Sequence, residues 1–472
     1  MLSRAGDRGC RGQSPEVRRT GIVVLAFLAW VLTPATVRAA DGLTFHQASG
    51  IRVLNATRID RRQYDVSVST AALGRAAHVR VLVPADYGET RDRLPVLYLF
   101  HGTSGRASDW VEHGNAEDAT AGLRLIAVMP DAGFGGDGGG WFTNWVDTKT
   151  ALGPSQWETF HVDQLIPWID ANLRTIATRN GRAVAGLSQG GFGSMTYAAR
   201  HPDLFASAAS FSGAPDIDYN PALAAGATAV IEAIAAGLDR VEPDAMFGSR
   251  ATKEINWQGH DPADLVGNLR DVDLWLYTAT GQPGPYDSGA PNPSTSGIEL
   301  ATHQSTEGFV QHAHQQGVPV HLVDYTRGTH MWSYWARDLV EYLPHAMGKF
   351  ARPTGAPRRI SYESIDPSWS QWGWSIVLRR SGTQQFSALT RAGPTGFTLQ
   401  GTGTAIVTTP PFYKPRSVAA VTISGRPATT VTVDSAGRLE VTVPLGLDVP
   451  SPAIVGVPVL PGKAVTVAIT HQ

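Results

Sequence analysis

Ser188 stands in the pentapeptide Gly186-Leu187-Ser188-Gln189-Gly190, after the apolar run Ala183-Val184-Ala185 and before the helix-compatible segment from Phe192 to Arg200. A serine at such a strand–turn–helix junction is a candidate nucleophile. The tight turn lifts its hydroxyl clear of the sheet, and the flanking glycines let the helix pack close to the strand. The chain has 50 glycines, enough for the same five letters to arise by chance, so the flanking elements carry the reading. A serine hydroxyl is a weak nucleophile near neutral pH. It needs a base to take its proton and a carboxylate to orient that base. On this kind of elbow the chain order is serine, acid, histidine. His330 follows the strand-like run Val318 to Tyr325, read as the last core strand, across the turn Thr326-Arg327-Gly328-Thr329, which makes it the expected base. For the acid, Asp287, Glu299 and Glu307 all lie between Tyr277 and His330, and spacing alone does not choose among them.

Attack on an ester also creates a negative oxygen that needs hydrogen-bond donors. The backbone N–H of Gln189 is one expected donor. The other is expected from the loop His101-Gly102-Thr103-Ser104-Gly105, where Gly102 permits the turn that aims the Thr103 amide inward. His101, at a strand end, is expected to brace that loop or touch substrate rather than act as a second base. The run from Gly135 to Gly140 lacks the Lys and Ser/Thr of a phosphate-binding loop and reads as a flexible active-site loop. His312 and His314 sit on a helix-compatible stretch at a spacing that does not put both rings on one face. They read as surface residues, and no metal and no cofactor is expected.

Around these residues, short apolar runs alternate with helix-compatible stretches: Tyr64–Ser69, His78–Pro84, Pro95–Phe100, Leu125–Met129, Ala206–Phe211 and Leu274–Tyr277. That alternation predicts an α/β fold, a mostly parallel sheet flanked by helices, with chemistry at the carboxyl ends of the strands. Past about residue 355 the pattern changes to period-two runs such as Thr429–Val433 and Leu439–Val443, broken by Pro and Gly, which predicts a small all-β sandwich-like domain. Trp369, Trp372 and Trp374 lie close together there, as a carbohydrate-stacking platform or, more commonly for such a cluster, as core and seam.

At the N-terminus, Arg4, Arg8, Arg11, Arg18 and Arg19 precede the apolar run Gly21–Leu32, and small residues follow at Ala39-Ala40. This is the pattern of a signal peptide cleaved near Ala39 or Ala40; Arg18-Arg19 also suits a twin-arginine route. Cys10 is the only cysteine and lies in the part to be removed, so the mature chain is expected to hold neither disulfide nor thiol. No later stretch is expected to cross a bilayer, which gives a secreted or cell-envelope protein without a transmembrane span after cleavage. Lys+Arg and Asp+Glu nearly balance, at 39 and 41, and this lack of a basic field argues against nucleic-acid binding. The expected division is a signal peptide over 1–40, a catalytic domain over 41–352 and a C-terminal β-rich domain over 353–472.

Several further stretches occur in order: Trp141-Phe142-Thr143-Asn144-Trp145, Gln156 to Phe160, His201-Pro202, Trp257 with Asp261-Pro262, and Gly328 to Trp335. Together with the elbow, over roughly residues 60–350, the chain resembles the antigen 85-type mycolyltransferases within the esterase D-like group of α/β-hydrolases. The resemblance implies an α/β-hydrolase fold, with the C-terminal β domain outside it. It selects Glu299 as the acid, since Gly297-Ile298-Glu299 stands where the family carries its glutamate. It gives Thr103 and Gln189 the oxyanion amides and sets Trp332 on the acyl or sugar site. The implied activity is movement of a long acyl chain between trehalose or cell-wall sugar hydroxyls through a Ser188 acyl-enzyme. An acylated trehalose or other glycolipid ester is then the substrate, and cell-wall polysaccharide a further partner. A carboxylesterase that uses water as acceptor is the second reading, and an inactive envelope-binding protein the third. The chain departs from the family at His101-Gly102-Thr103-Ser104, where relatives carry Asp-Gly-Leu-Arg and use its aspartate and arginine to hold trehalose; His101 and Ser104 are the substrate contacts expected instead. It departs again at Gln189-Gly190, where Met-Ala is usual.

Overall fold

The computed structural model of the chain describes residues 36–38, 42–135, 137–380, 384–448 and 454–471. The expected signal-peptide core and its cleavage point lie outside the described residues.

Nine strands form the main sheet: β1 (Arg52–Arg58), β2 (Gln63–Ser69), β3 (Ala77–Leu82), β4 (Val96–Phe100), β5 (Ile126–Pro130), β6 (Arg182–Leu187), β7 (Ser207–Phe211), β8 (Asp273–Thr278) and β9 (His321–Asp324). Their spatial order is β9-β8-β7-β6-β4-β5-β3-β2-β1. Every pairing from β9 across to β5 is parallel, and those from β5 to β1 are antiparallel. The order follows from composition. β4, β5, β6 and β7 are buried along their whole length and are apolar or small-residue runs, as strands covered on both faces must be. β2 alternates buried and half-buried positions, as suits the antiparallel edge. The run read as the last core strand is instead an exposed edge: among the described residues β9 pairs only with β8, and three of its four residues are exposed. One side of that edge is covered by ring stacking, with Trp275 of β8 between His321 and His345 at centroid distances of 4.3 and 3.6 Å.

Four helices matter for the site: α1 (Gln189–Arg200), α2 (Pro221–Ile234), α3 (Pro293–Gln316) and α4 (Trp332–Phe350). The expectation that no later stretch is long and apolar enough to span a bilayer does not hold. The helical segment Pro221–Asp239, which contains α2, has 19 residues and meets that test by length and composition. Several of its apolar residues line a cavity.

Beyond residue 359, two all-antiparallel sheets follow, one of six strands and one of four. They enclose a core of their own, including Trp374, Ile376, Leu389, Leu399, Val407 and Val443. They also reach into the first core: Ile365 and Phe386 are fully buried members of it. Gly259 lies so close beneath Ile365 that an added Cβ would sit 2.2 Å from its side chain. At the same seam Arg200 is buried and ion-pairs with Glu158 at 2.7 Å and Asp366 at 3.0 Å. Its carbonyl accepts from Tyr362 Oη at 2.7 Å and Gln371 Nε2 at 2.8 Å. Burial opposes ionisation of Glu158, but the Arg200 guanidinium and His201 hold its carboxyl well below the usual carboxylate range. The tryptophans join this seam and core. Trp369 and Trp374 are buried, and Trp372 lies under the Arg179 guanidinium at 5.1 Å, its backbone N–H donating to Asp203. Residues 36–472 pack as one compact unit.

Candidate active site

The turn from β6 into α1 explains why its residue types are what they are. Ser188 has φ 52° and ψ −122°, a region that a non-glycine residue occupies only where its surroundings force it. The surroundings are close. A Cβ on Gly186 would lie 2.2 Å from the carbonyl oxygen of Gly190, and one on Gly190 would lie 2.4 Å from that of His101. The Ser188 N–H is donated to Phe211 of β7 at 3.0 Å, which locks the turn onto the sheet. The hydroxyl therefore stands at the carboxyl end of the parallel strands, at the positive end of α1.

Ser188 Oγ donates to His330 Nε2 at 2.9 Å, and His330 Nδ1 donates to Glu299 Oε2 at 2.9 Å. Glu299 has no solvent exposure. Its other oxygen accepts from Ser212 Oγ at 2.9 Å and from the Ala279 N–H at 3.0 Å. With the carboxylate on Nδ1, the imidazole proton resides there and Nε2 is left to receive the serine proton. The carboxylate comes from α3, whose start is capped by Asn292 accepting from the Ser294 N–H at 3.0 Å. Of the three acids that spacing left open, Glu299 is the one beside His330. Asp287 instead ties down the loop before α4: it accepts from Thr329 Oγ1, from Tyr334 Oη at 2.6 Å and from the Gly284 N–H at 2.7 Å. Burial pushes its carboxyl up, and these donors more than offset that, holding it below its ordinary value. Glu307 is exposed, 3.5 Å from His303.

The residues expected to supply the oxyanion donors meet the elbow directly. Gly102 passes so close that an added Cβ would be 3.2 Å from Ser188 Cβ. Thr103 and Ser104 follow it on the lip of the cavity. Gln189 is buried, and its side chain does more than the sequence reading assigned to it. Nε2 donates to Thr103 Oγ1 at 3.3 Å and to the Gly138 carbonyl at 3.1 Å, while Oε1 accepts from the Trp141 N–H at 3.4 Å. The second half of the glycine-rich run is thus packed rather than open: Gly138, Gly139 and Gly140 are buried, and a Cβ on Gly140 would collide with Trp157 at 2.0 Å.

His101 is corrected from a candidate substrate contact to a brace. It is 1% exposed, its Nδ1 meets the Gly102 carbonyl at 2.7 Å, and its Nε2 accepts from the Ala132 N–H at 2.8 Å. Both ring nitrogens are used inside the protein, and the ring does not line the cavity. Trp332 does line it, set edge-on to Trp110 and Trp335, and Trp335 in turn packs edge-on to His330 at 4.8 Å. His314 is exposed, whereas His312, expected at the surface, turns partly inward to Asp216 at 3.5 Å.

Above Ser188 and His330 lies a cavity of about 1280 Å³. One wall is α2, through Ala222, Leu223, Gly226, Ala227, Val230 and Ile234; Arg106, Asp109, Glu112 and His113 also line the cavity and give it a polar rim. This wall was not assigned from sequence, although the run of Ala, Leu, Val and Ile after Pro221 is its visible signal. Asn220 caps it by accepting from the Ala222 and Leu223 N–H groups, both at 3.0 Å.

A parallel sheet crossed by a nucleophile-bearing strand–turn–helix, with helices on its faces, defines an α/β-hydrolase. More narrowly, the chain belongs to the Esterase family, whose model matches residues 70–346. The chain is 36% identical over 238 residues to the esterase Rv1288 of Mycobacterium tuberculosis, a match covering 50% of each. It thus spans about half the length of that relative. It is 32% identical over 291 residues to the MPT51/MPB51 antigen of Mycobacterium tuberculosis, covering 58% of this chain and 89% of the relative. To the diacylglycerol acyltransferase/mycolyltransferase Ag85B of Mycolicibacterium smegmatis it is 28% identical over 258 residues, 52% of this chain and 75% of the relative.

Proposed function

We propose that the protein is an exported serine acyltransferase that moves a long acyl chain, in the favoured version a mycolyl group, between sugar hydroxyls. The observation that carries this reading is the unbroken line Glu299–His330–Ser188 opening into a large cavity with one apolar wall and one polar rim. Ser188 Oγ attacks the ester carbonyl as His330 Nε2 takes its proton. The N–H groups of Gln189 and Thr103 receive the developing oxyanion. His330 then returns the proton to the departing sugar oxygen, and an acyl-enzyme remains on Ser188. A second sugar hydroxyl, activated by the same imidazole, takes the acyl group off. The apolar face of α2 suits the acyl chain. Ser104, Trp332 and the charged rim suit a polyhydroxylated headgroup such as trehalose. With His101 enclosed, recognition of that headgroup rests on the rim. Similarity to a mycolyltransferase supports this reading. The C-terminal sheets are proposed to position the enzyme on cell-wall polysaccharide, and the leader to export it to the envelope or beyond.

The test is product analysis with an isotopically labelled trehalose monoester. Transfer yields labelled diester and free trehalose. Free acid as the sole labelled product would move the assignment to a secreted carboxylesterase, for which water is the acceptor. Failure of a fluorophosphonate to label the protein at all would leave the inactive envelope-binding reading.

A further inference from the structure

Away from Ser188, three carboxylates meet in the interior: Asp216, Asp218 and Asp261 are 0%, 3% and 0% exposed. One oxygen from each lies within 4.8 Å of the other two. Asp264, 5% exposed, adds a fourth acid nearby. Backbone donors meet part of this charge, since Asp261 accepts from the Ile217 and Ala263 N–H groups at 2.7 and 2.9 Å, and Asp218 from the Gly456 N–H at 3.1 Å. Asp218 Oδ1 and Asp216 Oδ2 are buried with no hydrogen-bond partner among the described residues. The nearby cations do not balance the cluster. Arg250 Nη1 is 3.8 Å from Asp218 but 2.8 Å from Glu254, and His312 Nδ1 is 3.5 Å from Asp216. Buried charge of one sign with unpartnered oxygens is costly unless a cation or protons neutralise it.

We infer that Asp216, Asp218 and Asp261 form a binding site for a hard divalent cation, calcium by its tolerance of irregular oxygen sets. The donors are all oxygens, which excludes softer metals by preference. Calcium takes oxygen ligands at about 2.3–2.6 Å in a flexible geometry, whereas magnesium demands a near-octahedral set and gives up its waters reluctantly, which an enclosed group of carboxylates does not suit. This revises the expectation of no metal, which rested on histidine spacing and left buried aspartates out of account.

The location gives the ion a task. Asp216 and Asp218 lie on the segment after β7 that leads to Asn220, the cap of the cavity wall α2. Asp261 follows the helix Arg250–Gln258. Asp218 also holds Gly456, and Gln258 Nε2 donates to the Ile454 carbonyl, so a strap from the C-terminal sheets is anchored at the same point. A bound cation staples the base of α2, the catalytic core and that strap together.

The experiment uses the full chain, stripped with EDTA and titrated with calcium chloride by calorimetry, alongside thermal unfolding in calcium and in EDTA. One calcium per chain is expected. Tm should rise by about 3 °C when calcium exceeds its Kd a hundredfold. Asp216→Asn and Asp218→Asn, which keep shape and hydrogen-bond acceptors, should each weaken binding at least tenfold. A wild-type chain that binds none of calcium, magnesium or manganese, with Tm unmoved by EDTA, overturns the inference whether or not the variants fold. Binding that persists at wild-type affinity in both variants overturns it as well.

Discussion

Burial and hydrogen bonding single out Glu299 where spacing does not choose. Three acids precede His330 within reach, and their separations along the chain do not distinguish them. In the folded chain only Glu299 is enclosed, with Ser212, Ala279 and His330 donating to its two oxygens. Ser212 and the side-chain bonds of Gln189 have no sequence signal, because a serine after a strand and a glutamine in an elbow are ordinary residues until packing gives them partners. Ser188 and His330 stand out in the sequence because the strained turn needs glycines beside it and because a base is expected after the last parallel strand. On this account Glu299→Gln lowers ester turnover by roughly a thousandfold or more, since an amide cannot stabilise the imidazolium. Asp287→Asn keeps one acceptor for Thr329 and Tyr334 and stays within about tenfold. Steady-state kinetics on one soluble ester decide the ranking, and the reverse order would move the acid to Asp287.

At the scale of elements, the parallel sheet and the elbow were readable from alternating apolar runs, while the use of single elements was not. β9 looked like core because its residues are partly apolar, yet it is the sheet edge, and only the strand order reveals that. The segment Pro221–Asp239 resembles a membrane span by length and composition, and α2 within it supplies the apolar wall of the cavity. Replacing Ala227 with Asp puts a charge into that wall. KM for a long-chain ester is expected to rise at least roughly tenfold with little change for a short one, because burying an unpaired charge against an acyl chain costs on the order of a few kcal/mol. Equal effects on both chain lengths would show that α2 does not hold the acyl group. Gly190→Ala tests the elbow itself. Its Cβ would strike the carbonyls of His101 and Phe100 at 2.4 and 2.6 Å, so α1 and the oxyanion loop must separate. A turnover loss of roughly a hundredfold is expected from that displacement, and a variant with wild-type turnover would contradict the packing described.

For the whole molecule, the change of pattern near residue 355 announced a second β-rich part, but it carried no sign of how firmly that part is joined. Ile365 and Phe386 complete the first core, and buried Arg200 depends on Asp366, Tyr362 and Gln371 from beyond the junction. A chain ending at Arg352 retains every candidate catalytic residue, so its folded fraction should still turn over a short ester. It should also unfold at a Tm at least roughly 5 °C lower, since two large core side chains and the partners of a buried guanidinium are gone. An unchanged Tm would mean the seam contributes nothing to stability. The proposed function rests on covalent chemistry at one atom. Intact-mass and peptide-mapping mass spectrometry after brief incubation with an activated acyl ester measures that chemistry directly. The account predicts one acyl group per chain, mapped to the peptide containing Ser188 and absent from Ser188→Ala. An acyl group found elsewhere, or retained by the Ser188→Ala chain, would contradict it.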